Sequence, residues 1–404
     1  MKLAIVEVMP FGHFTLVESI TEIFASDDKN EIYIFINAAG EKVLAPVFKD
    51  KKNVRIVTQK ENESLSSFFL RINTFSPDKI YITTLEKWFR DFYLFKFTGQ
   101  INLIIHNIDD WSRFGLFLGL SNFLYEGFRS NIIYNFKRYL IYPYWRKRIL
   151  ENVLSSGGKL VVLSRSLKKE LSRFVPDERL EVIPFSVFNE STADYSGSNK
   201  YLRISIPGKV SSVRRDYDSV FSSLEGELEF FKDKIELVLL GGVSLNEGGG
   251  PVIQRADELI SRGLRIKYFK QDFIPFDEFE AEFAKSDIVI GNMKVVLDKL
   301  SSVYGKTKET GFSFTMIRFA KPGICIAGYN LMDELKSSVL FYGNPGQLKD
   351  ILKKILSDKN LLTGLKKEAR KNSLLFTPES IYKQLTSSTT DPGATGQDTA
   401  LPDK

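Results

Sequence analysis

The sequence predicts an α/β protein built from two doubly wound parallel-sheet domains, and three observations carry that expectation. Short β-rich apolar runs alternate with longer segments of helical spacing, which is the signature of crossover units. The alternation is interrupted once, by the polar stretch NESTADYSGSNK at 189–200, rich in Ser, Asn and Gly as a linker is. At 404 residues the chain also exceeds what one hydrophobic core normally organises. With 43% hydrophobic and 26% charged residues it has the balance of an ordinary globular protein.

In the first half, KLAIVEV, EIYIFIN, VRIVT, KIYIT, INLIIH and KLVVLS read as strands, with LVESITEIF and LSSFFLRINTF among the helical segments between them. They define a first domain over 1–188. After the linker, LRISIPG, IELVLLGG, RIKYFK, DIVIGN and GICIAG define a second over 201–385. The tail 386–404 has almost no large apolar residue to offset the entropy of ordering, and is expected to be disordered. The opening MKLAIVEVMPFGHF reads as a first strand and not as a secretion signal. The longest apolar run, FGLFLGLSNFLY, falls short of the ~20 residues that cross a bilayer. A single cysteine, Cys325, excludes an intramolecular disulfide and speaks against a Cys-based metal cluster, so a reducing cytoplasm is expected.

Several function classes lack their motifs. There is no G-x-x-x-x-G-K-S/T, and no G-x-G-x-x-G after a strand, which disfavours a P-loop NTPase or a standard dinucleotide-binding dehydrogenase. No H-E-x-x-H, EF-hand loop or G-x-S-x-G occurs either. Asp109 and Asp110 are adjacent carboxylates, but capping of a helix from Trp111 accounts for them, and no metal or other cofactor is expected.

What remains is a pair of histidines. The chain holds two, His13 and His106, and each lies just past a strand-like run, KLAIVEVM before PFGHF and INLII before HNIDDW. Parallel sheets place their chemistry at the carboxyl ends of strands, and imidazole is the side chain whose ordinary pKa lies nearest neutrality. One buried histidine would usually be structural. Two at strand exits mark the first place to look for an active site.

Two consecutive parallel-sheet domains joined by a linker resemble the GT-B fold of nucleotide-sugar glycosyltransferases, in a divergent form similar to family 4. Particular segments carry the match: VVLSRSLKKEL with LEVIPFSV, ISIPGKVSSVRRDYDSV, IELVLLGG, and FIPFDEFEAEFAKSDIVIGN. The resemblance implies two Rossmann-like domains facing a central cleft, the acceptor on the first and the activated sugar on the second. On the donor side it points to Gly208, Lys209, Arg214 and Arg215, to Gly241 and Gly242, and to Tyr304, Lys308, Glu309, Thr310 and Gly311. Cations and backbone N–H groups there would meet the charge that grows on a diphosphate leaving group. The two glutamates that many retaining members carry before the equivalent of Pro322 are replaced here by Thr307 and Thr315, which leaves the stereochemistry open, with Glu309 the nearest carboxylate. On the acceptor side, PFGHF, with Gly12 and His13, resembles the Gly-His region of inverting members, where the histidine is the general base. His106 is the second candidate, and Asp109 a third, to orient a histidine or act as base itself.

The stretch from Trp111 to Leu150 carries seven cations, Arg146, Lys147 and Arg148 among them, against Glu126 alone; its net +6 equals the formal charge of the whole chain. Twelve aromatics are interleaved. Such a mixture suits anionic lipid headgroups, although a helical core with snorkelling cations is an open alternative, and no nucleic acid partner is expected. The expectation is therefore a cytoplasmic glycosyltransferase, peripheral on the inner face of the cell membrane, that moves a sugar from a nucleotide sugar to a glycan or lipid-linked acceptor in bacterial surface polysaccharide synthesis. The alternatives are a non-catalytic subunit of the same fold that scaffolds glycan assembly, and a nucleotide-sugar epimerase of related fold.

Overall fold

A computed structural model describes residues 1–9, 13–112, 132–190, 200–297 and 302–387. Gly12, most of the linker, almost all of the tail, and Arg113 and Arg129 of the basic stretch lie outside them.

The first sheet has seven parallel strands: β1 (Lys2–Glu7), β2 (Glu31–Ile36), β3 (Val54–Thr58), β4 (Lys79–Thr84), β5 (Gln100–Ile105), β6 (Lys159–Val162) and β7 (Leu180–Val182), in the order β3-β2-β1-β4-β5-β6-β7. The second has six: β8 (Leu202–Pro207), β9 (Ile235–Leu240), β10 (Arg265–Tyr268), β11 (Ile288–Gly291), β12 (Gly323–Ile326) and β13 (Val339–Tyr342), in the order β10-β9-β8-β11-β12-β13. Helices cover both faces, so strands such as β1 and β2 are buried along all but their first residue. That is why these runs read as continuous and not as alternating. Strand order reverses between β1 and β4 in one sheet, and between β8 and β11 in the other. Sheets of this kind open a crevice at such points, beyond the carboxyl ends of the strands.

Local chemistry sets the helices off. Asn37 starts the helix Ala38–Phe48 by accepting from the Gly40 N–H, and Ser64 does the same for Leu65–Thr74 through Ser67. One apolar cluster runs from Leu3 and Ile5 through Phe188 to Phe312 and Phe319, so the two sheets share a core as well as owning one each. Between them, Arg318 donates to Glu18 of the first domain at 2.9 Å and to Glu280 at 2.6 Å, with all three largely buried. The last helix, Pro378–Ser387, returns to the first domain, where the Tyr382 hydroxyl donates to Asp27 at 2.9 Å and its ring meets Phe24 edge-on.

Both sheets and their crossover helices agree with the fold expected from the sequence. Two strands were not anticipated, β7 and β13. Each is short and at a sheet edge, and LEV and VLFY are too brief to show a period.

Candidate active site between the sheets

The β1 ladder with β4 breaks its register at the end: Val6 pairs with Ile82, but Glu7 pairs with Thr84. Thr83 is thus the extra residue of a bulge, a device that re-aims side chains. Its hydroxyl and that of Thr84 both donate to Glu7 Oε2, at 2.9 and 2.7 Å. Glu7, fully buried, also accepts from the backbone N–H of Met9 at 2.8 Å and of His13 at 3.3 Å. One carboxylate therefore holds both Met9 at the exit of β1 and His13 at the start of helix Phe14–Ala25. Burial pushes the Glu7 carboxyl above its usual value, against these four hydrogen bonds.

His106 leaves β5 beside it. Its Nε2 lies 2.7 Å from the Thr83 carbonyl oxygen, which can only accept, so the proton sits on Nε2 and Nδ1 keeps a lone pair. The His13 and His106 rings stand 4.4 Å apart, and Phe185 packs edge-on against His13. Burial, then the Lys308 cation, push His13 down to about 4. Burial, then its histidine neighbour, push His106 down to about 3. Both imidazoles are neutral at pH 7, the form that can take a proton.

Facing them across a cavity of about 510 Å³ are Lys209, Arg214, Arg215, Tyr304, Lys308, Glu309, Thr310 and Gly311 of the second domain. The β8 exit loop turns at Gly208, whose φ is +93°, and a Cβ there would strike the Arg215 guanidinium. Arg215 is steered by the Lys209 carbonyl at 3.3 Å and Asn292 at 3.4 Å, and Arg214 by Glu247 at 2.9 Å. Lys308 is pinned across the domains by the bridge between its backbone and Asn107, next to the Ile108 N–H that donates to the Thr307 carbonyl at 2.8 Å. Helix Gly311–Phe319 begins at this wall, with Thr310 as its cap. Glu309 is buried, accepts from the Tyr329 hydroxyl at 2.9 Å, and is raised by that burial. Among the described residues, five cations and three carboxylates line the cavity, which favours an anionic ligand. Among the described residues no group of three His, Cys, Asp or Glu side chains is placed to hold a metal ion.

The remaining candidates do not share one place. Gly241 and Gly242 do not line the cavity; a Cβ on either would collide with the Gly208 or Asp272 carbonyl oxygen, so they serve close approach of strand-end loops. Asp109 accepts from Ser302 at 3.1 Å, whereas its neighbour Asp110 lines the cavity. Arg146 does not share the surface with Lys147 and Arg148. It is buried in the cavity wall, with Phe89 and Trp111 against its guanidinium at 5.0 and 5.9 Å, and it donates to the Asp110 carbonyl at 3.4 Å. Its place follows from helix Tyr142–Ser155, whose buried positions are Arg146, Ile149 and Val153. Lys147 and Arg148 are exposed and lie within 4.0 and 3.6 Å of Glu151. Glu7 was not singled out in the sequence; the signal available was a lone charge inside the apolar run KLAIVEV.

Two doubly wound sheets with their carboxyl edges facing one cleft define the GT-B fold, and this chain has it. HepE of Anabaena, solved in complex with UDP and glucose, matches with a TM-score of 0.60 over 96% of this chain and 99% of that one, at 13% identity. WaaG, a glycosyltransferase involved in lipopolysaccharide biosynthesis, matches at 0.56 with 12% identity, over 96% of this chain and 99% of that one. The UDP-GlcNAc 2-epimerase of Neisseria meningitidis, bound to UDP-GlcNAc, matches at 0.52 with 12% identity and the same coverage. No protein-family model matches the sequence, and no curated protein resembles it in sequence.

Proposed function

We propose that this chain is a nucleotide-sugar-dependent glycosyltransferase that extends a glycan or lipid-linked glycan of a surface polysaccharide. One observation carries the reading: two neutral imidazoles on one wall of the cleft face Lys209, Arg214, Arg215 and Lys308 on the other. The solution of HepE with UDP-glucose, in a chain of the same fold, supports it. In the proposed reaction, a nitrogen of His13 takes the proton of the acceptor hydroxyl as its oxygen bonds the anomeric carbon. The bond from that carbon to the diphosphate oxygen breaks, and the electron pair leaves with the diphosphate. The four cations and the N-terminus of helix Gly311–Phe319 meet that charge as it grows. His106, its Nε2–H committed to Thr83, positions His13. Asp109, turned toward Ser302, is less suited to be the base.

A lipid-linked acceptor would bring the protein to a membrane. No helix among the described residues is long and apolar enough to cross one, and the docking we propose is peripheral. Tyr144 is exposed with the Arg148 guanidinium 5.6 Å from its ring, and Ile132, Ile133 and Phe136 are exposed earlier in the same helical run, apolar and basic exposure of a kind that suits a lipid surface.

The test is release of nucleoside diphosphate from UDP-, GDP- and dTDP-sugars, alone and with a lipid-extract acceptor. Acceptor-dependent release is expected, and His13→Ala should lower kcat by roughly 10² to 10⁴ with donor affinity kept. Near-normal turnover in that variant removes His13 from the role. Conversion of UDP-N-acetylglucosamine to its 2-epimer without acceptor would assign the epimerase alternative instead, and no turnover with any donor the scaffold.

A further inference from the structure

The carboxyl edge of the first sheet continues past the histidines. A second cavity, of about 470 Å³, opens there, bordered by Val8 after β1, Asn37 after β2, Gln59 and Glu63 after β3, and Trp88 after β4. The two cavities share their loops. The β1 exit borders this one at Val8 and the catalytic cleft at His13; the β4 exit borders the cleft at Thr84, Leu85 and Glu86, and this one at Trp88.

Trp88 is costly to hold where it is. It is 40% exposed while its neighbours Phe89 and Phe92 are buried, so the indole leaves apolar area in water that a core position would remove. Its φ is +55°, a left-handed conformation that bulky residues rarely adopt. Its carbonyl accepts from the Phe92 N–H at 3.0 Å to open helix Phe89–Leu94, a task that glycine or asparagine would perform without the strain.

The polar groups around the indole are fixed in place but not used up. Asn37 accepts from the Gly40 N–H at 2.9 Å and donates to the Met9 carbonyl at 2.8 Å; Gln59 donates to the Glu63 carbonyl at 3.1 Å. A carboxamide carries two N–H donors and two lone pairs on its oxygen, so each has capacity left, held rigidly. Arg71 clamps Glu63 with two bonds of 2.7 Å. A displayed ring beside immobilised neutral donors and acceptors matches one ligand chemistry well. A pyranose offers a C–H face that packs on the negative face of an aromatic ring and, around its rim, hydroxyls that need both donors and acceptors.

We infer that this cavity is an outer saccharide subsite, holding a sugar unit of an oligosaccharide acceptor whose reacting end lies at His13. The connection to the reacting end rests on the glycosyl-transfer reading; carbohydrate binding at Trp88 does not. An array of defined oligosaccharides, of two to six units, is probed with the full chain, with Trp88→Ala and with Trp88→Tyr, each first shown to melt as wild type does. Glycans bound by wild type should lose at least tenfold in affinity in Trp88→Ala and recover most of it in Trp88→Tyr, which restores an aromatic face. The chain has three tryptophans. With 5-fluorotryptophan incorporated, the resonance missing from Trp88→Tyr should shift on titration with an array hit, while that of Trp145, which borders neither cavity, stays. Absence of any bound glycan, or binding unchanged in Trp88→Ala, overturns the subsite. Calorimetry with UDP-, GDP- and dTDP-glucose separates the two readings: binding of any of them without glycan binding leaves the transferase and removes the subsite, and glycan binding at Trp88 with none of them bound does the reverse.

Discussion

Lowering the pH should titrate the histidine pair far below the usual range, and this is the sharpest physical consequence of the site. A fall from 6.5 to about 4 for His13 amounts to about 3 kcal/mol of preference for the neutral ring, at 1.36 kcal/mol per pH decade. The sign follows from proton counting. Below 6.5 the unfolded chain binds a proton on this imidazole that the folded chain refuses, so stability falls as pH drops from 6.5 to about 4 and levels off beneath that. At pH 5.0 the deficit is about 2 kcal/mol for His13 alone. Urea unfolding at pH 7.0 and 5.0, on wild type and on His13→Gln, isolates it from the carboxylates, because only the wild type carries the imidazole. With two histidines in the chain, the ring proton resonances also report each titration directly. UDP should move His13 upward, since diphosphate near Lys308 cancels the cation that helps to hold it down. A histidine resonance titrating near 6.5 in the free protein, or an equal loss of stability in both proteins, would refute the buried, neutral pair.

Two further outcomes follow from side chains around the cleft. Glu7→Gln replaces four accepted hydrogen bonds by a group with one acceptor oxygen and an N–H₂ facing donors, so about 1–3 kcal/mol of stability should be lost. If Glu7 positions His13, kcat falls while donor KM stays; a drop in stability with kcat unchanged would make it structural only. Replacing Lys147 and Arg148 together by Ser removes two exposed cations worth about 1 kcal/mol each at an anionic surface, so sedimentation with anionic vesicles at low salt should weaken and catalysis on a soluble acceptor survive. A wild-type protein that ignores such vesicles ends the membrane reading.

The sequence made the two sheets legible because burial on both faces leaves long Ile- and Val-rich runs, and the histidines legible because each interrupts the chain where such a run stops. The bulge at Thr83 was not legible: TT after KIYI has no period to slip, and only the pairing with β1 shows that one threonine is surplus. Without the bulge, Glu7 reads as one more charge in a strand. Arg146 was misplaced for a different reason. Its membership in an Arg-Lys-Arg run suggested a charged surface, yet its spacing of three and seven from Ile149 and Val153 sets it on the buried face of its helix. Trp88 gave no signal, since a backbone angle is not written in residue type.

The most direct test of the central claim is calorimetry of UDP, GDP and ADP binding to the wild type and to a variant with Lys209→Ala and Arg215→Ala. Wild type should bind at least one of these nucleotides, which at 100 times its Kd would stabilise the fold by about 2.7 kcal/mol. The variant should lose tenfold or more, because each charge-assisted hydrogen bond is worth about 1.5–3 kcal/mol. Equal affinity in the two proteins, or no binding of any of the three to the wild type, would contradict a diphosphate site among these cations.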